Sequence, residues 1–301
     1  AESLVPFVNR KEIRPLSKTR DLGIDENWFP VPETFTYQTS DSEKAHALFY
    51  SPTNPEYEIS EKEKPPLIVL AHGGPTAAAR RQLQLSITYW TSRGFGVADV
   101  DYRGSTGYGR SFRNRLRNSW GLADVEDCVS VAKYLVEQKK VDKNKLAIKG
   151  GSAGGFTVLA ALTFHDTFTA GASRYGIADL AILAKDTHKF ESRYLDRLVG
   201  KWPEDEETYK QRSPIHHIEQ LSTPMVILQG SEDPIVPPNQ AHLMAQKLKE
   251  NDIPHALIEF PDEGHGFRKA PNITKAIESE LAFFSHIFDF EPFDDLQKIL
   301  F

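Results

Sequence analysis

The sequence predicts an α/β protein built on one mainly parallel β-sheet that carries helices on both faces. Short apolar runs of strand length alternate with helical stretches of about 10 to 18 residues along most of the 301-residue chain. Strands that are connected through helices pair in parallel, and the connecting helices cover the sheet. Several apolar runs are nearly continuous, which is typical of strands buried on both faces.

The predicted elements follow one another in a regular order. Residues 1–35 are polar, contain prolines and lack a regular period, so they predict a linker or a wrapping arm. Two short strands around a polar turn are predicted in "TFTYQTSDSEKAHALFY". Strands are then predicted in "PPLIVLAHGG", "GFGVADVDYRG", "KLAIKG", "AGASRYG", "PMVILQGSED" and "HALIEF". Helices are predicted over about 77–92, around Cys128, in "GGFTVLAALTF", in "NQAHLMAQKLKEN" and from about Ile273 onwards.

The alternation lapses over residues 179–215, where charged and aromatic residues dominate. We interpret this segment as a small helical insertion in a catalytic domain over residues 36–290, followed by an apolar tail over 291–301. Within the insertion, Pro203 and the acidic residues 204–207 predict a helix start, because proline suits the first helical position and acids suit the first turn. An acidic patch that binds substrate is the less favoured alternative.

Composition argues against several function classes. The net charge of -6 disfavours nucleic-acid binding, because contacts to phosphates need a basic face. No apolar run approaches the length of a membrane span, and the first residues lack the apolar core of a secretory leader. No metal-binding motif is visible, so we expect neither a metal nor a cofactor. The single cysteine, Cys128, lies on an apolar helical stripe and predicts a buried structural residue in a cytoplasmic protein.

The stretch "KGGSAGG" carries the main chemical signal. A phosphate loop needs lysine after its glycines, and a dinucleotide-binding turn needs glycine where Ser152 stands, so neither interpretation fits. The spacing does fit G-x-S-x-G, with a predicted strand before it and a predicted helix after it. That setting is the one a nucleophile elbow requires. We therefore predict that Ser152 is a nucleophile on a strained turn at the head of a helix.

A nucleophilic serine needs a base, and a histidine oriented by a carboxylate is the usual one. Of the ten histidines, His265 stands in a Gly-flanked loop after the last predicted strand, downstream of the serine. The chain order serine, acid, histidine places the acid in the loop after the preceding strand. Glu232 and Asp233 are adjacent there, and only one of them can face the histidine.

Acyl transfer also needs donors for the oxyanion that develops on the substrate carbonyl. The backbone N–H of Ala153, directly after the nucleophile, is one candidate. The second is expected from the loop "AHGGP", where Gly73 and Gly74 bring bare backbone close to the site.

Together these stretches resemble the catalytic domain of the prolyl oligopeptidase family of serine peptidases, in particular its acylaminoacyl-peptidase and dipeptidyl-peptidase-like branch. The matching stretches are collinear from Phe35 to Lys269. They are "AHGGPTAAA", "VDYRGSTGYGRSFR", "WGLADVEDC", "IKGGSAGGF", "DTHKFESRYLD", "RSPIHH", "LQGSEDPIVPP" and "EGHGF".

The resemblance implies an α/β-hydrolase fold and assigns roles to individual residues. It implies the catalytic triad Ser152, Asp233 and His265, and an oxyanion hole formed by Ala153 and Gly74. It also implies that Arg103 and Tyr108 border the active site, although folding of their Gly-rich turn is an equally good role. The candidates for an apolar wall of a substrate pocket are Phe156, Phe190 and Tyr194, with core packing as the alternative.

The resemblance also implies a partner domain. Family members carry a β-propeller before the catalytic domain, and this sequence lacks one, so we expect an excised or truncated domain. The apolar tail is predicted to dock on the propeller or on a second subunit, with terminal core packing as the alternative. The predicted function is hydrolysis of short peptides through an acyl-enzyme. A carboxylesterase on the same fold and a non-enzymatic hydrolase-like binding module are the alternatives.

Overall fold

An eight-stranded sheet lies at the centre of the computed structural model, which describes residues 17, 21–60, 62–186, 193–297 and 299. The strands are β1 (Glu33–Gln38), β2 (Lys44–Tyr50), β3 (Leu67–Ala71), β4 (Gly96–Asp101), β5 (Leu146–Gly151), β6 (Ala170–Arg174), β7 (Met225–Gly230) and β8 (His255–Phe260). Their spatial order is β1-β2-β4-β3-β5-β6-β7-β8. β2 pairs antiparallel with β1 and β4, whereas β3 to β8 pair in parallel. The predicted α/β class with a mainly parallel sheet is confirmed.

Helices cover both faces of this sheet. In the described residues they are α1 (Leu85–Thr91), α2 (Gly109–Asn114), α3 (Ala123–Glu137), α4 (Ala153–Phe164), α5 (Leu180–Asp186), α6 (Leu195–Leu198), α7 (Glu206–Arg212), α8 (Asn239–Glu250) and α9 (Ala270–Phe288). Short 3₁₀ helices span Glu26–Trp28 and Pro214–Gln220. Apolar side chains of α3, α4 and α8 form one core with the sheet, and those of α1 and α9 form a second core with its opposite face.

The two cores explain why the central strands are apolar throughout. Along β3, Leu67 and Val69 face the first core while Ile68, between them, faces the second. All three side chains are completely buried. Burial of each such side chain contributes roughly 1.5–3 kcal/mol, so both faces of the strand stabilise the sheet.

The helix predicted over about 77–92 is shorter than expected, because α1 begins only at Leu85. The residues before it form a loop that is fixed by tertiary hydrogen bonds. The N–H of Ala79 donates to the Asp101 carboxylate over 2.8 Å, and the carbonyl of Ala77 accepts the N–H of Thr106 over 2.7 Å. These partners satisfy backbone groups that a helix would otherwise pair. The first part of that helix prediction is therefore wrong.

The segment 179–215 contains α5, α6 and α7 in its described part. The acidic run does open a helix, since α7 carries Glu206 and Glu207 in its first turn. Asp205 occupies the N-cap position, however, so Pro203 precedes the helix instead of occupying its first position as predicted. The predicted pocket residue Phe190 lies outside the described residues.

The described part of the C-terminal tail packs against the domain. Asp294 forms an ion pair with Arg93 at 2.5 Å, and Leu296 packs against the second core. Just before the tail, the ring of Phe290 lies 5.8 Å from that of Phe95. Phe293, in contrast, is 97% exposed.

The single cysteine, Cys128, is completely buried in α3 as predicted. Within the described ranges, no helix combines the length and the hydropathy that a membrane span requires.

Candidate active site

Ser152 lies on a sharp turn between β5 and α4. Its backbone adopts φ 57 and ψ -123, which is a costly conformation for a residue with a side chain. The flanking glycines make room for the turn. A Cβ on Gly154 would lie 2.0 Å from the carbonyl oxygen of Ala71, and one on Gly150 would lie 2.5 Å from the Gly154 carbonyl oxygen. The glycines of the motif thus provide close packing of strand and helix beneath a strained serine.

The structure brings Ser152, His265 and Asp233 into one hydrogen-bonded line. The Ser152 Oγ lies 2.9 Å from His265 Nε2, and His265 Nδ1 lies 2.8 Å from Asp233 Oδ2. A carboxylate only accepts, so Nδ1 carries the proton and Nε2 can accept the serine hydroxyl hydrogen. All three residues follow the carboxyl ends of parallel strands, where ligands bind in such sheets.

The choice between the two adjacent acids is decided by backbone hydrogen bonds. Asp233 Oδ1 accepts the N–H groups of Ile235 and Val236 over 2.8 and 3.0 Å, which turns Oδ2 towards His265. The Asp233 side chain is completely buried. Glu232 is exposed at the surface of the same loop. The geometry therefore favours Asp233 as the partner of the histidine.

Tyr175 supports the histidine and was missed by sequence reasoning. It follows β6 directly, and its ring centroid lies 4.8 Å from that of His265. The same ring fills the space beside the elbow, since a Cβ on Gly151 would lie 2.8 Å from it. Its φ of 39 is unusual for a tyrosine. Tyr175 directly follows β6, the strand next to β5, and the carboxyl ends of neighbouring parallel strands meet at one edge of the sheet. This position in the sequence could have indicated that Tyr175 lies near Ser152.

The two predicted oxyanion donors lie on the residue after Ser152 and on the loop after β3. In the described part of the chain, the backbone N–H of neither Ala153 nor Gly74 donates a hydrogen bond to another residue. The loop after β3 approaches closely, because a Cβ on Gly73 would lie 3.7 Å from the Ser152 Cβ. Gly74 itself has a φ of 122, which favours glycine. Both residues therefore stay candidates for the oxyanion hole.

His72 fixes the orientation of this loop. Its Nδ1 lies 2.8 Å from the Gly73 carbonyl oxygen, and its Nε2 lies 2.7 Å from the Ser105 hydroxyl. A carbonyl only accepts, so Nδ1 carries the proton. Burial lowers the pKa of His72 to about 4, so the ring is neutral at physiological pH. In a trans peptide the N–H points away from the carbonyl, so the bond to Gly73 directs the Gly74 N–H away from the histidine.

Two predicted substrate-binding residues lie in the interior instead. Phe156 is completely buried and packs on Trp120, with ring centroids 4.7 Å apart. Arg103 is buried and forms ion pairs with Asp127 at 2.8 Å and Asp41 at 2.5 Å. Neither side chain offers surface to a substrate, so their assignment to the substrate site is wrong. Phe156 packs in the core, and Arg103 holds the Gly-rich turn through its ion pairs, which are the alternative roles considered for these two residues.

The other two described candidates are accessible. The Tyr108 hydroxyl donates to Asp101 over 2.9 Å, and its ring stacks on His46 with centroids 4.0 Å apart. The Tyr194 hydroxyl lies 2.8 Å from the Thr76 hydroxyl, two residues after Gly74. Tyr194 therefore borders the oxyanion loop, whereas the contacts of Tyr108 belong to the Gly-rich turn. Among the described side chains, no cluster of metal-ligating residues is present.

Asp99 is a buried carboxyl on β4, only 7% exposed. Burial, and next the Asp101 carboxylate, raise the pKa of Asp99 to about 7. The folded protein thus keeps a proton that the unfolded chain loses near pH 4. Because the folded-state pKa is the higher one, the stability contributed by this proton is complete below about pH 4 and is lost as pH rises to about 7.

The Asp99→Asn variant is expected to lack this pH dependence. Between pH 4 and 8, the free energy of unfolding of the wild type should fall relative to that of the variant by up to about 4 kcal/mol. Denaturant unfolding across this pH range measures the difference. Asp166→Asn, at an exposed position, serves as the matched control and should follow the wild type. Parallel curves for the wild type and Asp99→Asn would contradict the prediction.

Comparison with known proteins assigns this arrangement to a family. The family model described as the prolyl oligopeptidase family matches residues 81–291. A solved structure of a Mycobacterium tuberculosis puromycin-hydrolyzing peptidase is 43% identical, with a TM-score of 0.89, over 95% of this chain and 43% of that one.

Two curated relatives each match about two thirds of the chain. Dipeptidyl peptidase family member 6 of Caenorhabditis elegans is 32% identical over 68% of this chain and 29% of its own length. Acylamino-acid-releasing enzyme 1 of Oryza sativa subsp. japonica is 31% identical over 68% of this chain and 28% of its own length. The chain therefore spans less than a third of the length of these two relatives.

Proposed function

Because this chain belongs to the prolyl oligopeptidase family, as its sequence resemblance predicted, we propose that it is a serine peptidase acting through an acyl-enzyme on Ser152. The α/β-hydrolase fold expected with that family is confirmed by the likeness to the mycobacterial peptidase. The observation that carries the proposed activity is the hydrogen-bonded line from Ser152 through His265 to Asp233.

In the proposed acylation step, His265 Nε2 accepts the Ser152 hydroxyl proton as Oγ attacks the substrate carbonyl carbon. The carbonyl oxygen becomes an oxyanion, which the N–H groups of Ala153 and Gly74 bind. One such donor typically contributes about 3–4 kcal/mol of transition-state stabilisation. When the C–N bond breaks, the Nε2 proton passes to the leaving amine. Asp233 stabilises the imidazolium and holds its Nδ1–H throughout.

Deacylation repeats the same chemistry with water as the nucleophile. His265 accepts a proton from the water molecule, whose oxygen attacks the ester carbonyl of the acyl-enzyme. The proton then returns to Ser152 Oγ as the acid product leaves. Both steps begin with a free lone pair on Nε2, and the bond from Nδ1–H to Asp233 selects the tautomer of the neutral ring that leaves this lone pair facing Ser152.

The proposed substrates are short peptides and related amides. Relatives named as an acylamino-acid-releasing enzyme, a dipeptidyl peptidase and a puromycin-hydrolyzing peptidase support this class. The match covers less than half of each relative, so we propose that the whole peptidase also contains the β-propeller that the resemblance implies. That domain would restrict access to substrates of limited size. A cytoplasmic location stays a prediction.

A fluorophosphonate probe tests the proposed nucleophile directly. We expect the probe to label the wild type once per chain, with the adduct mapped to Ser152 by peptide mass spectrometry. Peptide anilides and puromycin are the substrates for parallel turnover measurements. A chain that is neither labelled nor active on any of these amides would contradict the proposed function.

His72 is expected to act as a positioning residue for the oxyanion donor. His72→Ala removes the bond to the Gly73 carbonyl and should lower kcat for a peptide anilide by about ten- to a hundredfold, since a whole donor is worth about 100- to 1,000-fold. His72→Asn keeps an N–H near the position of Nδ1 and should restore most of kcat, with KM changing little in both variants. An equal loss of kcat in the Asn and Ala variants would contradict this role.

A further inference from the structure

A cleft of ≈ 550 Å³ opens beside Ser152 on the face of the sheet that α1 and α9 cover. Its walls include His72, Gly73, Tyr175, Ile273 and Ile277. This volume lies within the range of roughly 300–1,000 Å³ that is common for small-ligand sites. A larger cavity of ≈ 1270 Å³ is lined by residues before β3 and by the C-terminal tail, at the amino ends of the parallel strands. Of the two, the smaller one contains the nucleophile.

The cleft beside Ser152 is cationic. Lys149 on β5 and Arg174 on β6 line it, and both bind the completely buried Glu280 of α9, at 2.5 and 2.6 Å. Arg80, exposed on the loop before α1, contributes a third positive charge to the rim. One carboxylate shared by two cations leaves a net positive charge, which an anionic ligand could neutralise.

The other titratable groups of this cationic cleft do not cancel that charge. Burial lowers the pKa of His72 to about 4, so its ring is neutral at pH 7. Asp99, the remaining acid in the lining, has its pKa raised to about 7 by burial and then by Asp101. It is therefore about half protonated at neutral pH. The electrostatic character of the cleft favours a carboxylate over an ammonium group.

The cationic cleft shares two lining residues with the immediate surroundings of His265. Ser152 and Tyr175 both line it, and both contact His265, whose Nε2 gives that proton in the proposed mechanism. The leaving portion of a peptide must pass close to Nε2. The cleft, which adjoins both of these contacts of His265, is therefore close enough to receive the atoms beyond the scissile nitrogen.

We propose that the cationic cleft binds a carboxylate on the leaving portion of the peptide, through the charges of Arg80, Lys149 and Arg174. The carboxylate is either the C-terminal one of a short leaving peptide or an acidic side chain within it. This inference rests on the proposed peptidase function and adds a substrate class to it. Peptides with a negatively charged leaving portion are the preferred substrates.

The test compares peptides that differ only in their leaving portion. One pair ends in Ala-Ala with a free or an amidated C-terminus, and a second pair ends in amidated Ala-Glu or Ala-Gln. At low ionic strength, kcat/KM for the charged member of at least one pair should exceed that of its neutral partner by about fivefold. The difference should shrink in 1 M salt, where the screening length falls to about 3 Å. Which pair responds identifies the source of the carboxylate.

The variant Arg80→Gln reports on the cleft without disturbing the buried ion pairs. It should reduce the charge preference to about twofold, because kcat/KM for the charged peptide falls towards that of its neutral partner. Arg110→Gln, at an exposed position on α2 outside the cleft lining, is the matched control and should retain the full preference. Lys149 and Arg174 are left intact because loss of either partner would leave Glu280 poorly compensated.

Two outcomes would count against the proposal in different ways. Equal kcat/KM values for charged and neutral peptides in an enzyme that is active and labelled at Ser152 would overturn the cleft assignment alone. Absence of both labelling and turnover would overturn the peptidase function on which that assignment rests.

Discussion

The variant Ser152→Ala is expected to lose about a millionfold in kcat on a peptide anilide, because alanine offers no oxygen to form the acyl-enzyme. The other parts of the site stay in place in this variant. Binding and oxyanion stabilisation alone would leave a small residual rate above that of water. The measurement is initial-rate kinetics on purified protein, with the active fraction of the wild type set by fluorophosphonate titration.

A second serine variant separates loss of chemistry from loss of folding. Ser60→Ala, in an exposed loop before β3, should retain the activity of the wild type. Ser152→Ala should unfold at a temperature close to that of the wild type, since it leaves the packing around the turn intact and removes only the hydrogen bond to His265. Turnover by Ser152→Ala in a preparation free of other hydrolases would contradict the assignment of the nucleophile.

The variant Asp233→Asn is expected to lower kcat by about 10⁴-fold while the fold is retained. The N–H groups of Ile235 and Val236 donate to Oδ1, so an asparagine would keep its oxygen there and turn its NH₂ group towards His265. Nδ1 would then have to accept a hydrogen bond, which places the ring proton on Nε2, facing Ser152. In that tautomer the histidine cannot take the serine proton.

Glu232→Gln is the matched control for this prediction, because it removes a carboxylate from the adjacent, exposed position. We expect its kcat to stay within about twofold of the wild type, as for other surface charges that contact no reacting group. Circular dichroism and thermal unfolding verify that both variants fold. A large loss of kcat in Glu232→Gln together with a small loss in Asp233→Asn would contradict the assignment of Asp233 as the partner of His265.

Ser152 and His265, which the structure brings within hydrogen-bond distance, could be proposed as nucleophile and base from short motifs and chain order. The elbow at Ser152 needs small residues at fixed spacings between a strand and a helix, and all of these can be read in one short stretch. His265 could be selected because chain order in a parallel sheet determines which loops meet at the carboxyl edge. The choice of Asp233 over Glu232 required the resemblance, since both acids lie in the same predicted loop.

Residues outside these signals could not be assigned in the same way. Phe156 follows the nucleophile by one helical turn, yet it packs inward on Trp120 because α4 is buried on all sides. Arg103 stands in a loop that borders the predicted site, but its charge is held by Asp41 and Asp127 from distant parts of the chain. Such partners are separated by too many residues for a local pattern to indicate them.

The sequence by itself determined the α/β class and the family, and it singled out Ser152 and His265 as candidates for acyl transfer, because these features depend on periodicity, short spacings and chain order. Only the tertiary structure decided which side chains surround that chemistry. Tyr175 against His265, His72 against the Gly73 carbonyl and the cationic cleft arise where separate strands end side by side. The physical reason is that burial and pairing of a side chain are set by neighbours in space, which the linear order of residues does not specify.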